Sequence, residues 1–146
     1  MCIGIVQVEI GSVIIHADDG FLTKIKFSDE KLDEIDCGIF TTQIKEYFQG
    51  TRKKFDFKVK ITTGGPIFKK VWEYVKEIPY GTTETYGEIA KKLNINPRVV
   101  GYAMASNSLP LYIPCHRVVS KNGIGGFYGG LKWKEFLLNL ERKFSQ

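Results

Sequence analysis

Apolar residues in the first sixty positions recur mostly at every second place. Ile3, Ile5, Val8 and Ile10 alternate imperfectly, residues 13–17 are β-rich, and Phe21, Thr23, Ile25 and Phe27 alternate with Leu22, Lys24 and Lys26. A period of two marks strands with one buried face. Gly11 and Ser12 make one turn, and Asp19 followed by Gly20 is a strong hairpin signal. The pattern predicts a three-stranded antiparallel meander, followed by a polar, acidic connection from Ser28 to Asp36. Ile44, Tyr47 and Phe48 then fall at helical spacing, with Gly50 suited to a left-handed cap, and Phe55, Phe57 and Val59 alternate once more. His16 has no Cys, Asp or Ser at a useful spacing and reads as a surface or packing histidine.

The run Thr62, Thr63, Gly64, Gly65, Pro66 divides the chain into residues 1–62 and 63–146. Beyond it the period changes to that of a helix. Phe68, Val71, Trp72 and Val75 follow i, i+3, i+4, i+7 and stop before Pro79. Thr85 and Glu88 form a capping box opening a short helix striped by Tyr86, Ile89, Ala90 and Leu93. Asn96 can cap and Pro97 can open the next helix, which runs to Ser106 and packs through Val100, Ala103 and Met104. Two short helices with a tight turn outline a helix-turn-helix, although a plain helical hairpin has the same pattern. The small residues Gly101, Ala103 and Ala105 would let the second helix lie close to a partner. Residues 109–114 contain two prolines and are expected to be extended. A glycine-rich loop then surrounds Phe127 and Tyr128, and a last helix from Lys132 to about Lys143 buries Trp133, Phe136, Leu137 and Leu140, with Glu141 beside the stripe. The fold class is α+β.

Composition narrows the field. A chain of 146 residues with 43% hydrophobic and 25% charged residues is neither disordered nor collagenous. No apolar run reaches the ~18–20 residues of a membrane span, so no membrane partner is expected. The N-terminus lacks a basic region and a cleavage site, which makes the cytoplasm the default address. The net charge of +5 is unevenly shared: residues 1–60 hold 9 basic and 10 acidic side chains (net −1), and residues 61–146 hold 12 and 6 (net +6). The second part suits a polyanion, but a solvated basic face has the same composition. Three cysteines without C-x-x-C spacing support neither a disulfide framework nor a zinc site. At least one thiol must be free, and a reducing cytosol leads us to expect three.

Cys115 is the residue with chemistry to explain. A thiol reacts as thiolate, which needs a cation, an imidazole or helix N–H groups nearby, and His116 and Arg117 follow it directly. Taken alone, a buried cysteine is more often a small core hydrophobe.

The stretch Pro114, Cys115, His116, Arg117, Val118, Val119 resembles the O-6-alkylguanine-DNA alkyltransferases, the methylated-DNA–protein-cysteine methyltransferases. So do Asn107 and Ile113 before it, Tyr128, Gly129 and Gly130 after it, and, further back, Pro79 to Gly81, Thr85, Tyr86 and Arg98 to Gly101. The resemblance covers about residues 64–142. It implies a small β-rich, ribonuclease H-like domain over 1–62, and a helical, winged-helix-like domain with the helix-turn-helix over 63–146 that binds DNA and carries catalysis. It implies that Cys115 takes the alkyl group from a flipped-out alkylguanine, irreversibly and once, with His116 as base, Glu141 as its orienter and Tyr86 as proton donor to the leaving base. Asn107 ties the recognition helix to the active segment. Arg98 fills the gap in the duplex, and Val99, Gly101, Tyr86 and Lys121 are further DNA contacts. Met104, Pro110, Val118, Tyr128 and Gly129 wall the pocket, and Lys121, Lys132 and Lys134 are candidates for phosphate contacts. The partner is double-stranded DNA carrying alkylated guanine, met by a monomer. No cofactor is implied, because the nucleophile belongs to the protein. Cys2, His16 and Cys37 are too few and too oddly spaced for the structural zinc of some relatives. Two rivals stand beside this reading: a non-catalytic lesion-binding module of the same fold, in which the cysteine is replaced, and a cysteine hydrolase built on Cys115 and His116.

Overall fold

The computed structural model describes residues 1–126 and 130–145. Tyr128 and Gly129, expected in the pocket, lie outside the described residues. The chain forms two compact units, Met1–Thr62 and Thr63–Gln146.

The first unit is built on an antiparallel meander of β1 (Cys2–Val8), β2 (Gly11–Asp18) and β3 (Phe21–Ser28) in the order β1-β2-β3. The meander forms as predicted and Val13, Ile15 and Ile25 are buried, but the expected faces are corrected elsewhere. β1 buries Gly4 and Val6 and leaves Ile3 exposed, and an irregularity in register between His16 and Ala17 brings Leu22, not Phe21 or Thr23, to the buried side. Gly11 opens β2 rather than sitting in the turn, which falls at Glu9 and Ile10, and its close approach to β3 leaves no room for a side chain: a Cβ would lie 1.9 Å from the Ser28 carbonyl oxygen. The acidic connection does more than connect. Ile5 and Ile35 exchange backbone hydrogen bonds of 2.9 and 3.1 Å, adding a bridge beyond β1. Helix α1 (Ile39–Phe48) follows, and Gly50 takes the expected left-handed conformation at φ 80°. The last alternation yields only a bridge of Val59 to Leu22, while Phe55 and Phe57 stack on each other and pack against Tyr47 and Phe40. Aromatic burial wins there over strand pairing.

The expectation of three free thiols is overturned. Cys2 and Cys37 are joined as a disulfide, their Cα atoms 6.1 Å apart, leaving Cys115 as the free cysteine. The start of β1 lies against the entry to α1, and Gly4 has no room for a side chain there: a Cβ would meet Cys37 Cβ at 2.8 Å.

The second unit contains α2 (Pro66–Lys76), β4 (Glu84–Thr85), α3 (Tyr86–Leu93), α4 (Pro97–Ala105), a single 3-10 turn at Cys115–Arg117, β5 (Val118–Val119) and α5 (Leu131–Phe144). Both halves of the Thr85–Glu88 capping box are present, Asn94 ends α3 in the left-handed region, and Asn96 caps α4. Gly64 at φ 86° faces the Trp72 ring, which a Cβ would meet at 2.5 Å. Trp72 Nε1 donates to the Ala103 carbonyl at 2.7 Å, and Ala103 is fully buried. Ala103 therefore packs α4 onto α2 and is not available for close approach by a partner, whereas Ala105 is exposed. The parallel pairing of β4 with β5, two residues each, fastens the start of α3 to the strand that follows the turn. Among the described residues no helix is long and apolar enough to cross a membrane.

Candidate active site

Cys115 opens the 3-10 turn at the end of the proline-bounded segment. Its amide donates to Ile113 O at 2.7 Å. Asn107 fixes the approach from both sides, accepting from Leu109 N at 2.9 Å and donating to Ile113 O at 2.9 Å. Leu111 takes φ 79°, a conformation rare for a large side chain. The thiol is 4% exposed. Burial pushes its pKa up to about 11, against a hydrogen bond from Asn107 and the charge of Lys134. At rest the sulfur keeps its proton.

The next residue in the chain carries an imidazole. His116 is fully buried, and its Nε2 lies 2.6 Å from Glu141 Oε2. Burial lowers its pKa, opposed by Glu141 and aided by Arg117 and Lys134, so the ring is neutral near pH 7. A carboxylate at Nε2 places the ring proton there and leaves the lone pair on Nδ1, which meets no hydrogen-bonding partner among the described residues. The 3-10 turn thus carries a thiol and an imidazole side by side in sequence, and α5 supplies the carboxylate that holds the imidazole.

Glu141 also holds Arg117 and the loop before β4. Arg117 donates from Nε to Oε1 and from Nη2 to Oε2, each at 2.9 Å, and from Nη1 to Ile78 O at 2.7 Å; Gly81 N donates to Oε1 at 3.0 Å. Burial raises the Glu141 pKa, but the hydrogen bonds and charges of His116 and Arg117 outweigh it and hold the carboxyl far below the usual range. Arg117 is therefore occupied with Glu141 rather than with the thiol it follows in sequence. Its positive charge balances Glu141, which keeps His116 from being protonated merely to satisfy a buried carboxylate.

Lys134 corrects an expectation. Read as a phosphate contact, it is instead fully buried, and its Nζ donates to Val118 O at 2.6 Å and Gly126 O at 2.9 Å. Burial lowers its pKa to about 8, opposed by Cys115. It sits 5.9 Å from the Tyr86 ring centroid, and Gly125, at φ 78°, makes room for both: a Cβ there would meet Tyr86 Cε2 at 3.1 Å and Lys134 Nζ at 3.2 Å. Tyr86, half-buried at the start of α3, has its phenol pKa raised by burial and then by Cys115, so it stays protonated. A signal for Lys134 existed. It stands seven residues before Glu141, and Trp133, Lys134, Leu137 and Glu141 are together the buried side of α5.

Val118 and Met104 are buried on β5 and α4, and Pro110 is buried in the segment before the turn. Arg98 is exposed in the first turn of α4, Val99 and Gly101 are half-buried, and Lys121 is exposed after β5. A Cβ added to Gly101 would meet nothing within 4 Å. A helix-interior glycine costs about 1 kcal/mol relative to Ala, and no internal neighbour requires this one. The structure thus brings Cys115, His116, Glu141, Asn107 and Tyr86 to one site, and leaves Arg98 and Lys121 at the surface.

The profile of the 6-O-methylguanine DNA methyltransferase DNA-binding domain matches residues 66–143. A methylated-DNA–protein-cysteine methyltransferase of Methanopyrus kandleri is 50% identical over 99 residues, 67% of this chain and 75% of that protein. One of Methanosarcina acetivorans is 39% identical over 156 aligned residues, covering 97% of this chain and 98% of that protein. The crystal structure of Mycobacterium tuberculosis OGT in complex with DNA superposes with a TM-score of 0.82 at 28% identity, covering 96% of this chain and 92% of that one. A match spanning more than half the chain, with a relative matched along nearly its whole length, leaves one assignment: the chain belongs to the methylated-DNA–protein-cysteine methyltransferase family.

Proposed function

We propose that this protein repairs DNA by transferring an alkyl group from the exocyclic oxygen of a damaged guanine to Cys115, once per molecule. The observation that carries the reading is a buried, protonated thiol beside a neutral imidazole whose Nδ1 lone pair is open and whose Nε2 is held by a carboxylate. His116 accepts the Cys115 proton, directly or across one water. The sulfur attacks the alkyl carbon in line with its bond to oxygen, the carbon–sulfur bond forms as the carbon–oxygen bond breaks, and the electron pair leaves with the base. Tyr86 gives its phenolic proton to a ring nitrogen of the departing guanine. Lys134, an ammonium near the sulfur, stabilises the thiolate in the interval. The product is a thioether, which hydrolysis does not reverse, and no cofactor takes part.

Reaching the oxygen requires the nucleotide to leave the stack. Residues 63–146 form the DNA-binding and catalytic domain, with α4 against the duplex. Arg98 fills the space vacated by the base, Val99 and Gly101 line the contact, and Lys121 meets phosphate. Met104, Pro110 and Val118 enclose the flipped base. The protein acts as a cytoplasmic monomer on duplex DNA. The free thiol at Cys115 disfavours a purely lesion-binding role.

The test is a count of turnovers. Protein mixed with excess duplex carrying one radiolabelled 6-O-methylguanine is expected to take up one equivalent of label and then stop. Continued release of methyl beyond one equivalent contradicts the reading and favours a cysteine hydrolase. Lys134→Met is expected to slow the single-turnover rate at pH 7 by about 100-fold, the size of effect seen when one preorganised charge-stabilising donor is lost. It should also remove a decline in rate that the parent shows above about pH 8, where the ammonium deprotonates.

A further inference from the structure

The outer face of the β1-β2-β3 sheet carries charge that the active site does not use. Lys24 lies opposite His16 and Lys26 opposite Ile14, on the face turned away from buried Val13, Ile15 and Ile25. Beyond β3 the segment 58–60 runs alongside: Leu22 N donates to Lys58 O and Lys60 N to Leu22 O, both at 2.9 Å. Val59 is the bridge partner of buried Leu22, so Lys58 and Lys60 point to the opposite, outer face, where both are exposed. Among the described residues these four lysines have no ion-pair partner. The neighbouring carboxylates are engaged elsewhere, Glu46 and Asp56 with Arg52, Glu34 with Lys45, and Asp18 with the N-terminal ammonium. The positive field reaches His16, whose pKa is lowered by burial and then by Lys26 and Lys24. Asp33, Glu34 and Asp36 flank Ile35, whose bridge to Ile5 of β1 lies at the other edge of the sheet, while Asp29 and Glu30 lie beside the start of β2. The net −1 of residues 1–60 therefore conceals a unit with one basic edge and one acidic edge.

We propose that Lys24, Lys26, Lys58 and Lys60 form a second contact surface for the phosphate backbone of duplex DNA, within Met1–Thr62 and separate from the helix-turn-helix. Alternate residues of an extended chain stand about 6.6 Å apart. Each strand of a duplex presents one phosphate per roughly 3.4 Å of helix axis, so each lysine pair lies within reach of neighbouring phosphates of one strand. The face offers neutralising charge and no donor–acceptor pattern for base edges, so it holds DNA without regard to sequence. The inference rests on DNA as the partner and not on the chemistry at Cys115.

Two pair variants, Lys24→Gln with Lys26→Gln and Lys58→Gln with Lys60→Gln, test it in the full-length protein, each checked by its thermal melt. Binding to an undamaged duplex is measured between 50 and 200 mM salt. Each lost phosphate contact flattens the log–log slope by about 0.9, so each pair is expected to flatten it by about 1.8. Transfer from a free 6-O-alkylguanine base is followed in the same samples. Failure of that transfer in the parent faults the reading of the active site, whereas an unchanged salt slope in both variants overturns the proposal made here. An unchanged slope with weakened self-association in sedimentation also overturns it, and assigns the face to the acidic edge of a second copy.

Discussion

Cys115→Ala is expected to abolish alkyl transfer completely while leaving affinity for duplex DNA within about twofold of the parent, since phosphate contacts dominate that affinity. No other described sulfur can substitute, because Cys2 and Cys37 are tied to each other in the first unit. The variant should fold. Loss of one sulfur from a nearly buried site leaves a cavity smaller than a Leu→Ala change does, at a cost of about 1 kcal/mol. Cys115→Ser discriminates further. It keeps a hydroxyl within reach of the base but offers a far weaker nucleophile, so it is also expected to bind without transfer. Single-turnover assays beside fluorescence-anisotropy binding read both quantities. Transfer by either variant at more than a trace of the parental rate would remove Cys115 from the role assigned to it.

Glu141→Gln is expected to damage stability and transfer together. The carboxylate receives Arg117 in two places, the Gly81 amide and His116, all within 3.0 Å. Removing its charge leaves Arg117, which is 6% exposed, as a buried cation without compensation, a change that typically costs about 3–5 kcal/mol. The melting temperature should fall by roughly 10 °C. Transfer should fall as well, because an amide at Nε2 neither fixes the tautomer nor stabilises the imidazolium. Glu141 and His116 both have folded pKa values below their ordinary ones. Each therefore contributes stability that is fully present above its ordinary pKa and is lost as pH falls towards the folded value. The parent should lose stability first below about pH 6.5, as His116 is driven to charge, and further below about pH 4.5 as Glu141 is protonated. Glu141→Gln should show a smaller second loss, the remainder coming from Glu34 and Glu88, whose carboxyl pKa values are also lowered, each chiefly by a backbone hydrogen bond. A parental stability that stays flat from pH 7 to pH 4 would contradict this account of the buried triad.

The parts of this fold that were legible in the sequence are those set by local rules. The Asp19-Gly20 turn, the Thr85–Glu88 capping box and the Asn96-Pro97 start each need only neighbouring residues, and each is present, whereas the strict alternation read over Phe21 to Phe27 is broken by the register irregularity opposite it, which buries Leu22. What escaped was non-local. The β4–β5 pairing joins residues more than thirty positions apart through two residues a side, too few to leave a periodic trace. The Cys2–Cys37 bridge depends on the entry to α1 lying along β1, which spacing alone cannot give. Among site residues, Cys115, His116 and Glu141 could be named from their motif and their stripe. Lys134 was misplaced because a lysine in a basic region is usually solvated, and only its place on the buried side of α5 marks it as different. The partner of Arg117 was not legible either: it follows Cys115 and His116 in sequence, but successive side chains of a 3-10 turn point in different directions, and Arg117 turns to Glu141.

The central claim, that the protein is itself the acceptor at one atom, is tested most directly by intact mass and peptide mapping after incubation with a duplex containing a single 6-O-methylguanine. The account predicts a gain of one methyl group per molecule, confined to the peptide containing Cys115, with no further gain on longer incubation. An unchanged mass, or a methyl group mapped to any other residue, would contradict it.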